Sequence, residues 1–295
     1  MRKIQSVIRY IWSHLANRNR RMRAIVRAIG WQIRKRLLRG PHDVNIFGVL
    51  SLRCYSDSPS AGLIIYCNEC PDYHEMLFMR RYLRSGDSVL DIGANIGVYT
   101  LLAASEIGPT GQVLAFEPVP ETSRRLLENI RINQLDNVQI YTCALGDKNG
   151  SVDFLNQCDT TNRMKTVQDV GKSVISVPLA RLDDIVNLNC AFGKMDIEGA
   201  EPIALRGAER LLQEGNPPIW LLELNGQLHA FGFTEAAFSN WLSLQGYDLG
   251  LYDADRHELN FKYDRPWELS PNVFAVARNQ KLKVAERCGA RLLDS

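Results

Sequence analysis

A short apolar strand that runs straight into a glycine-spaced turn and then a helix constrains this chain more than any other stretch. Residues 88–100 read Ser-Val-Leu-Asp-Ile-Gly-Ala-Asn-Ile-Gly-Val-Tyr-Thr, with Val89, Leu90 and Ile92 supplying the strand. The small residues follow in the spacing Asp91-x-Gly93-x-Asn95-x-Gly97. Glycine admits positive φ and lets a ligand reach the backbone with no Cβ between. The helix that follows presents its free N–H groups at the same place. Strand, glycine turn and helix start in that order place a nucleotide or nucleoside site at the carboxyl edge of a parallel sheet. A dinucleotide dehydrogenase would carry G-x-G-x-x-G, its helix start aimed at a pyrophosphate. Here the third glycine falls elsewhere, and Asp91 ends the strand two residues before the first glycine. An acid facing the ligand disfavours a pyrophosphate and suits an ammonium or a sulfonium.

Strand and helix patterns alternate along the chain. Helices are expected over about 72–84, 97–107, 120–133, 201–213 and 235–245, with a short one near Leu182. Strands are expected at 112–118, 137–142, 151–155, 174–178, 193–197 and 219–223, and a closing pair at about 247–252 and 272–277. This alternation predicts an α/β fold with a doubly wound, mostly parallel sheet. The polar stretch 156–173 is too long for a plain connector and reads as a candidate substrate lid.

Four motifs stand in register: Asp91-x-Gly93-Ala94-Asn95-x-Gly97, Phe116-Glu117-Pro118, Leu182-Asp183-Asp184 and Lys194-x-Asp196-x-Glu198-Gly199-Ala200-Glu201. The first resembles motif I of class I S-adenosylmethionine-dependent methyltransferases. The set as a whole, from about Tyr73 to Arg278, resembles the FkbM family of O-methyltransferases. That resemblance implies a Rossmann-like sheet of seven strands ending in an antiparallel hairpin. Together with the charge pattern along the chain, it divides the sequence into a basic amphipathic helical leader (1–40), a pre-domain segment with a helix (41–84), the methyltransferase domain (85–278) and a tail (279–295). It also implies S-adenosyl-L-methionine as cofactor and, as acceptor, a hydroxyl on a sugar, a glycan or another secondary metabolite. On this reading Gly93, Asn95 and Gly97 approach the cofactor through their backbone, and Asp91 orients the turn or the cofactor's ammonium. Glu117 takes the ribose hydroxyls, and the adenine falls around Cys143–Leu145. Glu75 matches a family acid at the cofactor's amino-acid end, with a helix-surface charge as the equal alternative.

Lys194, Asp196 and Glu198 alternate onto one side of a strand expected to be buried on both faces, where an unpaired charge is costly. They are therefore expected to form a paired network at the strand's carboxyl end. Asp196 is the first candidate to accept the hydroxyl proton, with Lys194 and Glu198 beside it. Glu223, at the tip of the next strand, completes the pocket with Asn225 and His229. The alternative is a structural ion pair that also caps the helix beginning near Glu201. Methyl transfer is a direct displacement in which positioning does most of the work, so no catalytic dyad is required. The lack of an Asn/Asp-Pro-Pro-Tyr turn after the fourth strand disfavours an amine acceptor. Converging acids leave room for Mg²⁺, but no metal-ligand pattern stands out and no metal is assigned. Cys67-x-x-Cys70 ahead of His74 lacks the second pair that a structural zinc requires.

The net charge of +2 conceals an asymmetry. Residues 1–40 hold twelve of the 35 Lys and Arg and no acid, leaving 23 basic against 33 acidic side chains in the rest. An acidic core opposes a nucleic-acid partner, whose phosphates want a basic face. In the leader, Ile4, Val7, Ile8, Ile11, Trp12 and Leu15, then Met22, Ile25, Val26 and Ile29, recur at helical spacing among arginines. Three readings stay open: a helix on an anionic membrane surface, a transit peptide, or an arm packed on the core or on a second subunit. No stretch has the length of a membrane span. Seven cysteines, an odd count, with no export signal suggest reduced thiols and a cytoplasmic protein, with peripheral membrane contact through the leader. The other functional readings are a non-catalytic methyltransferase-fold module tethered to a membrane or partner, a nucleic-acid methyltransferase, and, demoted by its glycine spacing, a dehydrogenase.

Overall fold

The computed structural model describes all residues except 1, 39, 156–161, 167 and 295 and the side chains of 2–4. The leader forms two helices, α1 (Arg2–Ser13) and α2 (Arg21–Leu37). A hairpin of His42–Ile46 with Leu50–Cys54 follows, then α3 (Pro59–Tyr66) and α4 (Tyr73–Tyr82). Seven strands then build the centre of the sheet: β1 (Ser88–Ile92), β2 (Gln112–Phe116), β3 (Val138–Tyr141), β4 (Phe192–Met195), β5 (Ile219–Glu223), β6 (Tyr247–Asp253) and β7 (Asn272–Ala277). They lie in the order β3-β2-β1-β4-β5-β7-β6, parallel through β5, with β7 antiparallel to both its neighbours.

This is the doubly wound sheet expected, extended from seven strands to nine. Glu258–Asn260 pairs with the end of β6, and Arg291–Leu293 pairs with that strand in turn. The added strands cover an edge that would otherwise expose unpaired backbone groups. Residues past 278 thus form a helix, Lys281–Cys288, and the outermost strand. The segments 150–155 and 174–180 lie outside the main sheet, in a separate four-stranded one with Ala144–Leu145 and Arg163–Met164. Of the expected lid at 156–173, residues 156–161 lie outside the described residues. Arg163 within it belongs to a strand and clamps Asp169 at 2.8 Å. The helix expected over 201–213 is two helices, Glu201–Arg206 and Glu209–Glu214.

Alternate strand residues feed two cores on opposite faces of the sheet. Leu90, Ile92, Trp220 and Leu222 enter one, and Val89, Phe192, Ile219 and Leu221 the other. Strand order reverses between β1 and β4, so a crevice opens at their carboxyl ends, where open α/β sheets bind ligands.

Candidate functional site

Register brings the motif residues together. Asp91 lies opposite Lys194 across β1 and β4, and Met195 lies opposite Leu222 across β4 and β5. The next residues, Asp196 and Glu223, therefore leave adjacent strands at one height. Ile92 lies opposite Phe116, which likewise sets Gly93 beside Glu117. A cavity of about 280 Å³ opens there, lined by Gly93, Ala94, Asn95, Glu117, Lys194, Asp196, Glu198 and Glu223 among others.

The turn after β1 is built by its small residues. Gly93 and Asn95 take positive φ of 76° and 54°, and the amides of Gly93 and Ala94 both donate to the Phe116 carbonyl at 3.0 Å. A Cβ on Gly93 would stand 1.9 Å from the Asp196 carbonyl oxygen, so the position also lets β4 pass close by. Helix α5 (Val98–Ile107) starts from Gly97, which packs toward Leu126 of α6 (Pro120–Ile132) and is not among the cavity-lining residues. Glu117 is buried and accepts from the Asn95 amide through Oε2 and the Val119 amide through Oε1, both at 3.0 Å. Burial outweighs those two donors and pushes its carboxyl up to about 7.

Asp91 lies beneath the turn, 1 % exposed, and accepts from the Thr100 hydroxyl at 2.5 Å. Its Oδ1 has no hydrogen-bond partner and sits 3.9 Å from the Lys194 ammonium. Lys194 Nζ reaches Asp196 Oδ2 at 3.2 Å, donates to the Gly93 carbonyl at 3.1 Å, and faces the Tyr99 ring at 5.2 Å. Burial opposes the ammonium, but Asp196 and Asp91 keep it charged, with a pKa of about 12. The Lys194 side chain is 7 % exposed and that of Asp196 40 %, so the ion pair opens into the cleft at its acidic end.

Asp196 and Glu223 bring carboxylate oxygens within 4.8 Å of each other. Enclosure by the cleft walls works against the Asp196 carboxylate, yet the Lys194 charge, and after it the neighbouring Glu223, hold it below the usual range. Burial and the neighbouring Asp196 charge push Glu223 upward, making it the protonated member. Glu198, with a positive φ of 58°, accepts from Gln227 Nε2 at 2.7 Å and is pushed up to about 7, chiefly by burial. Among the described residues, Asp196, Glu198 and Glu223 bring carboxylate oxygens within 4.8 Å of one another, a spacing open to a metal ion.

Other predicted positions lie further off. Glu75 is buried on α4, pushed up to about 7 by burial and then by Asp72, and does not line the cavity. His229 turns to Glu235 at 3.4 Å, and Asn225 approaches Glu198 at 3.5 Å. Cys67 donates its thiol to the Tyr10 hydroxyl at 3.3 Å. Among the lining residues missed in the sequence are Asp72 and Tyr99, joined by a 2.8 Å bond from the Tyr99 hydroxyl. Asp72 does precede a helix, a common cap position, but that pattern marks where α4 starts and not which way its neighbours face.

Residues 91–249 match the family model of the methyltransferase FkbM domain, more than half of the chain. Over 145 residues the chain is 32% identical to "Methyltransferase 1" of Beauveria bassiana (strain ARSEF 2860), covering 41% of this chain and 58% of that protein. It is 28% identical over 146 residues to "2-O-methyltransferase NoeI" of Sinorhizobium fredii (strain NBRC 101917 / NGR234), covering 42% and 58%. The matched stretch thus spans a little over half the length of these curated relatives. A solved methyltransferase FkbM from Methylobacillus flagellatus KT superposes with a TM-score of 0.44 at 21% identity, over 73% of this chain and 52% of that one. With the motifs, the sheet order and the family match in agreement, this chain belongs to the FkbM family of methyltransferases, enzymes of the class that uses S-adenosylmethionine.

Proposed function

We propose that this chain methylates a hydroxyl oxygen of a sugar, a glycan or another secondary metabolite. The observation that carries the reading is geometric: Asp196, paired with Lys194 at 3.2 Å, and Glu223 bring carboxylate oxygens within 4.8 Å of each other beside the glycine turn, on the wall of the cleft. The donor set suits a cationic cofactor. Among the described residues five carboxyl groups line the cavity (Asp72, Glu117, Asp196, Glu198 and Glu223), and the one lining cation, Lys194, is already bound to Asp196. Gly93, Asn95 and Glu117 are the residues to hold the nucleoside. From the cavity a small apolar recess, sharing Gly93, Pro118, Phe154 and Ile197, runs toward Cys143–Leu145, the direction in which the base would lie. S-adenosylmethionine, when bound, supplies a methyl group on a sulfonium, and transfer to oxygen releases the hydroxyl proton. Asp196 accepts that proton, Lys194 keeps its carboxylate ionised and oriented, and Glu223 anchors its second side. The name of the Sinorhizobium relative, a 2-O-methyltransferase, supports oxygen as the acceptor atom.

The test has two stages. Calorimetric titration should give saturable, micromolar binding of S-adenosylhomocysteine and none of NAD. Label from methyl-labelled S-adenosylmethionine should then enter hydroxylated acceptors in an alkali-stable ether. An alkali-labile ester would point to a carboxyl acceptor and overturn the reading. Asp196→Asn should slow transfer about 10²–10⁴-fold while leaving S-adenosylhomocysteine affinity close to that of the parent.

A further inference from the structure

We propose that α1 and α2 form a platform that docks this protein on an anionic phospholipid bilayer. Helix α2 carries two apolar faces. Its inner face, Ala24, Ala28 and Trp31, recurs at helical spacing and is buried. Small residues at two of these positions let Ile11 of α1 pack closely, and Trp31 joins the cluster around α3. Polar contacts fix the same side. Asn17, fully buried, donates to the Ile11 carbonyl at 2.9 Å and the Tyr66 carbonyl at 2.7 Å. His14 meets the Pro71 carbonyl at 2.9 Å, and Arg18 pairs with Asp255 at 2.6 Å.

The outer face takes no part in this attachment. Met22, Val26, Ile29, Ile33 and Leu37 follow in steps of four, three, four and four residues, a single stripe along the helix. All five are between 52 and 74 % exposed. At 3.6 residues per turn, Arg23 and Arg34 fall on one flank of the stripe and Arg36 on the other. Ile8 and Trp12 of α1 are also exposed, and the Arg21 guanidinium lies over the Trp12 ring at 5.3 Å.

Charge selects the occupant. Twelve cations and no acid in residues 1–40 would make a symmetric contact between two copies of this face repulsive. RNA would meet the arginines and leave the apolar stripe uncovered. An anionic bilayer satisfies both, with the stripe at the acyl boundary, the arginines among the headgroups and Trp12 at the interface. Among the described residues no helix is long and apolar enough to cross a membrane, so this platform would lie on the surface.

The test is flotation of the full chain with phosphatidylcholine vesicles, with and without phosphatidylglycerol, at physiological salt. The parent should float only with the anionic vesicles. The triple variant Val26→Ser/Ile29→Ser/Ile33→Ser should bind them at least about tenfold more weakly, with an unchanged thermal transition because these side chains are exposed. Failure of the parent to bind would overturn the proposal. So would a folded triple variant that binds as tightly as the parent, since the arginines alone would then account for adsorption. A concentration-dependent dimer in light scattering that the triple variant abolishes would assign the stripe to a second copy and also overturn it.

Discussion

Glu117 shows how one side chain couples the fold to the site. Both its oxygens accept backbone amides of the surrounding turns, so the charge of this carboxylate is tied to the shape of the glycine loop. Burial still pushes it up to about 7. Ribose hydroxyls would donate to the ionised form and pull the value down again, so binding favours the deprotonated state. Affinity for S-adenosylhomocysteine should therefore climb as pH rises from 6 toward 7 and level off above. Glu117→Gln removes the charge at nearly constant shape. It should weaken binding by about 1.5–3 kcal/mol, roughly ten- to a hundredfold, and flatten that pH profile. Calorimetry across the pH range measures both. An unchanged affinity would mean that Glu117 only staples the turn, and an unchanged slope would assign the titration to another group.

Among the elements, the break between the helices at 201–206 and 209–214 has a physical cause that periodicity does not carry. Leu205, Leu211 and Leu212 continue one apolar face across Gly207, so the sequence reads as one helix. In three dimensions a Cβ on Gly207 would stand 1.9 Å from the Gly146 carbonyl oxygen. The helix lies against that loop and is interrupted where the two backbones meet. Two glycine substitutions should then have opposite signs. Gly207→Ala should destabilise by about 1–3 kcal/mol or more, because the neighbour is backbone and cannot swing away. Gly30→Ala, inside α2 with nothing within 4 Å of the new methyl, should stabilise by about 0.5–1 kcal/mol through helix propensity. Urea denaturation of the two variants checks both. A neutral Gly207→Ala would show that the approach relaxes freely.

For the molecule as a whole, the legible parts of the sequence were those where local pattern and tertiary role coincide. The Asp91–Gly97 turn, Glu117 after its strand, and the Lys194–Glu198 run are each strand-end signals, and parallel register alone brings them together. What was illegible depends on partners distant in sequence. The hairpin 42–54 is held by Asn129 of α6 and by Asn133 just past its end, and the strand 291–293 exists because 258–260 offers it an edge. Asp72 reaches the cleft only because α4 packs on α5. The same convergence sets the pH response. Glu75, Glu117 and Glu198 are each pushed up to about 7, and Glu201 to about 8, with burial first among the causes. A carboxyl raised in the folded state favours folding in its protonated form. That contribution is complete below the ordinary value near 4.5 and is lost as pH rises through 7 to 8. Asp196, held low by Lys194, and Asp169, held low by Arg163 and Lys172, act in the opposite sense. Their stabilisation is present at neutral pH and lost only on acidification below the usual carboxylate range. Thermal stability should therefore peak in mildly acidic buffer and fall between pH 6 and 8.5, by roughly 2–4 °C for each kcal/mol lost. Glu201→Gln, which keeps an oxygen to accept the Ile197 amide now bonded at 2.9 Å, should be less sensitive over that interval than the parent. Scanning calorimetry of the two proteins at matched ionic strength decides it. A transition temperature that is flat or rising from pH 6 to 8.5 would mean that the acid cleft ionises without cost to the fold.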